Sequence, residues 1–363
     1  MRRLAFALIA GAASAACPAF AQQQPGGPPP GGGAPPTEVR VDNRGMGSID
    51  DIPQQSRDPR TAAENALARR GDVRALLDRY PDTTMVGEIG DDDGLARVAE
   101  YTASGPNGER RLHMAYCFDL LGEAHDAPFL HGFLQRFSDI VGDGWPCWAL
   151  SNHDVVRSAT RWGGSNPDPR LLRLAAAFQL SLRGTVCLYQ GEELGLPEAT
   201  IAFEDLQDPY GISMWPEFKG RDGCRTPMPW AADAPQAGFS TGERSWLPVP
   251  PEHRPLAVDR QQADAGSLLS GFRHLLHWRR EQPALLHGEL HLRPVDAQVL
   301  AFERHHSAQR VLCAFNFSDT PATLALPEGW SQARALDGSG LSGAHVEGDT
   351  LVFEPWGGLF LQA

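Results

Sequence analysis

Hydrophobic positions fall into two regimes along the chain. From residue 67 to about 190, short apolar runs alternate with segments of helical spacing. Leu67, Val73, Leu76 and Leu77 share one helical stripe, which ends at Tyr80 and Pro81 because proline cannot continue a helix. Thr83, Thr84, Met85 and Val86 predict a short strand running into Gly87 and Glu88. Further strands are predicted over 112–121, 145–150 and 185–189, with helices over 127–141 and 170–182. Apolar strands alternating with helices indicate a parallel sheet, not one built from hairpins.

Beyond residue 190 the rhythm breaks. Residues 191–258 are rich in Pro, Gly and Trp and show no period. So long an irregular connection is uncommon and usually forms a lid or binding loop. A helix is predicted over 267–280, with Leu268, Leu269, Phe272, Leu275 and Leu276 on its apolar stripe. Short strands over 299–303, 310–317, 323–326 and 351–353, divided by turn residues, then predict a small antiparallel β domain.

The N-terminal region follows neither rhythm. Residues 1–21 read as a secretory signal, with Arg2 and Arg3 as the positive start, an apolar stretch over 4–17 and an Ala19-Phe20-Ala21 cleavage site. That stretch is too short to span a bilayer as a helix, so no membrane span is expected. Residues 22–66 form a Pro/Gly-rich linker followed by polar, unpatterned sequence. The implied destination is periplasmic or secreted.

Composition narrows the partners. The chain of 363 residues is 42% hydrophobic and 21% charged, as a globular protein is, and its formal net charge is −13. That charge repels phosphate backbones and argues against nucleic acid. Beyond Cys17 the cysteines are Cys117, Cys147, Cys187, Cys224 and Cys313, odd in number and without a C-x-x-C spacing. Neither a disulfide framework nor a zinc site follows, and those inside apolar runs read as buried thiols. No cofactor and no metal are expected.

Two carboxylates stand at the C-terminal ends of predicted parallel strands: Glu88 in M-V-G-E-I-G and Asp154 in W-A-L-S-N-H-D. In a (β/α)₈ barrel the strand ends and following loops form the active-site face. Glycosidic bond cleavage needs such convergence, with one carboxyl protonating the leaving oxygen and others stabilising or attacking the oxocarbenium-like carbon.

With these residues the sequence resembles glycoside hydrolase family 13, the α-amylase family, in its bacterial α-glucosidase and oligo-1,6-glucosidase branch. The resemblance rests on V-G-E-I-G at Val86, S-N-H-D-V-V-R at Ser151 and Y-Q-G-E-E-L-G at Tyr189. It continues through F-E-D-L-Q-D-P-Y-G-I and W-P-E-F-K-G-R-D-G-C-R-T-P-M-P-W between Phe203 and Trp230. It implies a partial (β/α)₈ barrel, strands five to eight, over residues 67–283, and a C-terminal antiparallel β-sandwich over 284–363. It also implies that Glu88 is the general acid/base and that Asp154 holds sugar hydroxyls and stabilises the transition state. His153 and Arg221 become ligands of the terminal glucose, and the partner becomes an α-glucoside oligosaccharide or disaccharide.

The family's aspartate nucleophile motif is not found in full before Glu88. Val39-Arg40-Val41-Asp42 carries only its R-x-D core, in a region that follows a Pro/Gly tract. The expectation is an α-glucosidase-like glycoside hydrolase for short α-glucosides, truncated and inactive as an isolated chain. The alternative is a secreted, non-catalytic carbohydrate-binding or interaction protein on the same fold. A half barrel exposes two strand edges, through which self-association is expected.

Overall fold

The computed structural model describes residues 5–10 by their backbone, and residues 73–89, 93–294 and 298–363 in full. The linker, Asp42 and the cleavage site lie outside the described residues. Five parallel strands form the first sheet: β1 (Ala5–Ala10), β2 (Thr83–Glu88), β3 (Met114–Cys117), β4 (Pro146–Ala149) and β5 (Thr185–Cys187). They lie side by side in chain order.

Two strands are shorter than the apolar runs suggested. The run 112–121 leaves the sheet after Cys117 because Asp119–Leu121 is a single 3₁₀ turn. Leu120 and Leu121 are both buried, and consecutive side chains cannot face the same side of a strand. The run 185–189 stops at Cys187 because the backbone turns so that Tyr189 N–H donates to Glu192 at 2.9 Å.

Helices form where caps and stripes coincide. α1 (Gly94–Thr102), which the sequence pattern did not reveal, begins at Asp93, whose carboxylate accepts from Ala96 N–H, and buries Leu95 and Val98. α2 (Ala127–Ile140) begins at Asp126 and α4 (Pro169–Ser181) at Asp168, each with proline in the first turn. Such caps contribute about 1 kcal/mol apiece. Between them the short α3 (Ser158–Gly163) follows the loop after β4. Under this layer lies Trp148 on β4, fully buried, meeting Phe133 and Phe137 edge-on at 5.7 and 5.1 Å.

The segment after β5 stays irregular except for single 3₁₀ turns, α5 (Pro209–Ser213) and α6 (Val258–Gln262). α7 (Leu268–Arg280) and α8 (Pro283–His287) lead into the β domain. There β6 (Glu289–Leu292), β7 (Val299–His306), β8 (Gln309–Asn316), β9 (Ala322–Ala325), β10 (Arg334–Ala335), β11 (Ala344–Glu347), β12 (Thr350–Phe353) and β13 (Gly358–Gln362) form two antiparallel sheets. Their orders are β10-β13-β8-β7-β6 and β11-β12-β9. The fold is therefore a parallel half-barrel sheet with its helices, followed by an antiparallel β domain.

Period-2 alternation explains why β7 and β8 read as continuous apolar runs. Val299, Ala301, Leu312 and Ala314 face a core shared with Trp330, Leu351 and Phe353 of the second sheet. Leu300, Phe302, Cys313 and Phe315 face the opposite way, into the core that contains Phe178 of α4 and Trp278 of α7.

Two adjacent residues of β7 obey the same rule with charges. Glu303 faces the domain interior, where it accepts from Trp330 Nε1 at 2.6 Å and from Arg310 at 3.2 Å, with Arg293 and His305 also bound. Burial favours its neutral form, but these four donors outweigh burial and hold its carboxyl at about 2. Arg304 points toward the half barrel, donating to Ser181 O at the end of α4 and to Gly288 O at 2.8 Å. Arg304→Ala opens a cavity and strands both carbonyls, so a loss of about 3 kcal/mol is expected in urea unfolding. A loss below about 1 kcal/mol would show the junction to be dispensable.

Candidate active site

The C-terminal ends of the parallel strands all point to one rim. Glu88 closes β2, and its register neighbour on β3 is Tyr116, reached through the Gly87–Ala115 pairing. The Tyr116 hydroxyl lies 3.6 Å from Cys187 Sγ on β5. Burial first, then the Cys187 contact and the charge of Glu88, keep the Tyr116 proton well above the ordinary phenol range. Cys187, partly exposed, has its thiol pulled below the ordinary range, chiefly by the neighbouring Cys147.

The loop after β4 is shaped by Asn152, whose side-chain oxygen accepts from the backbone N–H of Asp154 at 2.8 Å and of Val155 at 3.1 Å. This Asx turn presents His153 and Asp154 at the rim. Asp154 Oδ1 accepts from Arg221 Nη1 at 2.9 Å and from Arg225 Nη2 at 3.0 Å. Oδ2 lies 3.5 Å from His153 Nε2. The His153 ring is 58% exposed, so that edge of the site meets solvent.

Arg221 is itself clamped from behind. Asp208, with its side chain fully buried, accepts from Arg221 Nε at 2.9 Å, from Nη2 at 3.1 Å and from the backbone N–H at 2.8 Å. Burial raises the Asp208 carboxyl, yet the Arg221 bonds and the backbone N–H of Tyr210 overcome this and hold it at about 2. Asp208 also caps α5 through Tyr210 N–H. Close backbone contact makes this possible: a Cβ on Gly211 would sit 2.6 Å from Lys219 O, and Gly220 adopts φ +76° against Gly211. Buried Asp222 fastens the far side, accepting from Gln207 N–H at 2.6 Å and Asp208 N–H at 2.8 Å.

Of the residues predicted from sequence, the structure therefore brings Asp154, His153 and Arg221 into direct contact. It places Glu88 on the same rim, two strands away, through Tyr116. Asp42 lies outside the described residues. Four residues were missed: Arg225, Asp208, Arg157 and Glu192. All four stand inside the quoted motifs or between them, but their partners are distant in sequence. Arg157 donates to Gln190 O at 2.7 Å and lies over the Tyr189 ring at 5.5 Å.

Half-barrel strands with their helices and a trailing β domain define part of a (β/α)₈ barrel, whose strand-end rim carries a carboxylate braced by arginines. Residues 64–288 match the α-amylase catalytic domain and residues 290–359 the maltogenic amylase C-terminal domain. The chain belongs to the α-amylase family of glycoside hydrolases, within its α-glucosidase and oligo-1,6-glucosidase-like members. It is 42% identical over 290 residues to a probable α-glucosidase of Rhizobium meliloti (strain 1021), covering 79% of this chain and 51% of that protein. Maltase A1 of Drosophila melanogaster is 29% identical, over 71% of this chain and 46% of its own length. Among solved structures, the α-glucosyl transfer enzyme XgtA shares 48% identity with a TM-score of 0.77, over 82% of this chain and 54% of that one. The chain thus spans about half the length of the curated relatives it matches.

Glu192 provides a measurable property of the rim. It is half-buried, with Oε1 shielded from solvent, and its Oε2 accepts from Tyr189 N–H at 2.9 Å. Burial raises its carboxyl to about 7, against the weaker lowering by Tyr189, Ser151 and Arg161. A carboxyl raised on folding contributes full stability below its unfolded value and loses it as pH rises toward 7. Glu192→Gln keeps an acceptor and removes the charge. The variant should gain up to about 3 kcal/mol relative to wild type between pH 5 and pH 8. Parallel stability curves in urea across that range would refute it.

Proposed function

We propose that this chain carries the acid/base and glucose-clamping side of a site that processes short α-glucosides. The observation behind this reading is the doubly braced Asp154. With Oδ1 occupied by Arg221 and Arg225, the orientation of the carboxylate is fixed, and Oδ2 beside His153 faces solvent to accept sugar hydroxyls. Glu88, on the same rim, takes the role of protonating the glycosidic oxygen where a second carboxyl completes the site. The α-glucosidase and α-glucosyl transfer relatives support this assignment.

Cleavage also needs a second carboxyl facing the acid across the sugar, about 5–5.5 Å from it in a retaining enzyme. Asp154 is committed to its arginines and suits the stabilising role. The chain as described therefore binds α-glucosides without turning them over, unless a carboxylate such as Asp42 docks at the rim. Wild-type chain should bind glucose by calorimetry, and Asp154→Asn should weaken that binding about tenfold or more. No hydrolysis of an aryl α-glucoside is expected. Turnover that vanishes in Asp42→Asn would overturn the binding-only reading and make Asp42 the nucleophile. If turnover is found, Glu88→Gln should depress it more on poor leaving groups than on activated aryl glucosides.

Export is part of the same proposal. Removal of residues 1–21 takes β1 out of the sheet and leaves the edge of β2 unpaired, opposite the free edge of β5. The mature chain should begin at Gln22 by N-terminal sequencing and sediment as a dimer or larger. A monomer beginning at Gln22 would sink the self-association.

A further inference from the structure

Arg157 ends the loop that presents Asp154, and Glu192 stands in the turn after β5. Gly191 brings that turn close: a Cβ there would lie 2.8 Å from Arg157 Nη1, and its φ of +91° suits glycine. Arg157 is only 2% exposed. Its Nη1 donates to Gln190 O at 2.7 Å, its Nη2 to the Thr226 hydroxyl at 3.4 Å, and its backbone N–H to Glu198 Oε2 at 2.9 Å. Arg157 Nε has no partner among the described residues. Glu192 repeats the pattern with the opposite charge. Its Oε2 accepts from Tyr189 N–H at 2.9 Å, while its Oε1, shielded from solvent, has no partner among the described residues.

Both side chains line one internal cavity of about 20 Å³, enclosed by these loop ends and by α3, α4 and α7. Ser158 and Gln179 add polar atoms to its wall, and Leu171 and Phe272 close it with apolar ones. A buried donor or acceptor without a partner costs its desolvation in full, so each such atom in a folded protein calls for an explanation. Here a guanidinium N–H and a carboxylate oxygen face one chamber without bonding each other. The chamber's chemistry selects its occupant. A cation would meet the guanidinium and an anion the carboxylate, so the occupant is neutral. It must accept from one group and donate to the other. Water needs about 10–15 Å³ of such space and roughly two to four polar partners, and the cavity supplies both.

We infer that this cavity is a built water site, in which one ordered water accepts from Arg157 Nε and donates to Glu192 Oε1. A bridging water is enthalpically nearly as good as a direct hydrogen bond. Arg157 already reaches the turn after β5 through Gln190 O, and the water adds a second link from the same guanidinium. The loop that carries Asp154 and the turn that follows β5 are thus joined at two points, one of them through solvent held inside the protein. Protonation of Glu192 keeps the link and reverses its polarity: a carboxylic acid at Oε1 donates to the water instead of accepting from it.

The test joins a high-resolution crystal structure of the full chain, a second crystal pressurised with xenon, and magnetic relaxation dispersion of water in solution. An ordered water within about 3.2 Å of both Arg157 Nε and Glu192 Oε1 is expected, in a chamber that refuses xenon. A chamber that takes up xenon is dry and would overturn the site, as would a water that meets only one of the two atoms or neither. In solution Glu192→Met should lose one long-lived internal water relative to wild type, because the acceptor is gone. Glu192→Gln keeps polar atoms at that position and should retain the water. Wild type should hold it at pH 5 and at pH 8 alike, since both forms of the carboxyl can bond it. An unchanged water count in Glu192→Met, or a water lost from wild type between those pH values, would reject the inference. If Glu192→Met does not fold, the two crystals and the wild-type pH comparison decide.

Discussion

The arrangement of the rim depends on one guanidinium shared between two carboxylates. Arg221 turns two nitrogens to Asp208 and a third to Asp154. Only the planar fork of arginine can serve both in fixed directions; a lysine ammonium supplies donors without that geometry. Asp208 stays ionised because its bonds outweigh its burial, and the same bonds hold the Arg221 proton firmly. The charge that orients Asp154 is therefore constant across ordinary pH. Removing either member of a buried pair of this kind typically costs about 3–5 kcal/mol, because the partner is left desolvated and unpaired. The long segment after β5 is anchored to the strand ends at this point.

Arginines also resolve a second difficulty at the same rim. Irregular loops over parallel strand ends leave backbone carbonyls without ladder partners, and each must still be satisfied. Arg161 donates to Gly122 O at 3.0 Å and also to the Leu120, Leu150 and Val156 carbonyls, joining the segments that follow β3 and β4. Burial lowers it to about 10, still far above neutrality, so the donors persist. Arg157 plays the same part between the loops after β4 and β5. The loops can therefore depart from regular structure, as the site requires, while these backbone carbonyls remain paired.

Much of this was legible in the sequence, for identifiable reasons. Strand-end placement singled out Glu88 and Asp154 because a short apolar run followed by a carboxylate is a local signal. Strand existence was legible and strand length was not. The runs at 112–121 and 185–189 continue as apolar sequence where the backbone has already turned, at Leu120 and at Tyr189. Arg225 and Asp208 carried no local signal, because an arginine or aspartate in an irregular segment reads as a solvated residue until its partner is placed. Asp208 lies 13 residues from Arg221, and Arg225 lies 71 from Asp154. The apolar residues near the N-terminus show the opposite ambiguity. A run suited to a signal sequence is equally suited to an edge strand, and Ala5–Ala10 pairs with β2.

The β domain contributes to the site through packing. Phe178 on α4 meets Phe315 and Phe317 edge-on at 6.2 and 5.5 Å, and Trp278 on α7 meets Phe360 at 4.9 Å. These rings belong to one hydrophobic cluster that extends without a break from Leu95 and Val98 of α1 to the last strand. Helices that would otherwise present an apolar face to water are thereby fixed on both sides, by the parallel sheet and by β7, β8 and β13. A densely packed layer transmits small displacements instead of absorbing them. A misplacement of about 1 Å at reacting groups can cost about two orders of magnitude in rate. The positions of Glu88 and Asp154 are thus set by the cluster as a whole. A cavity opened at Phe178, remote from both carboxylates, acts on the same geometry as a change in the arginines that hold Asp154.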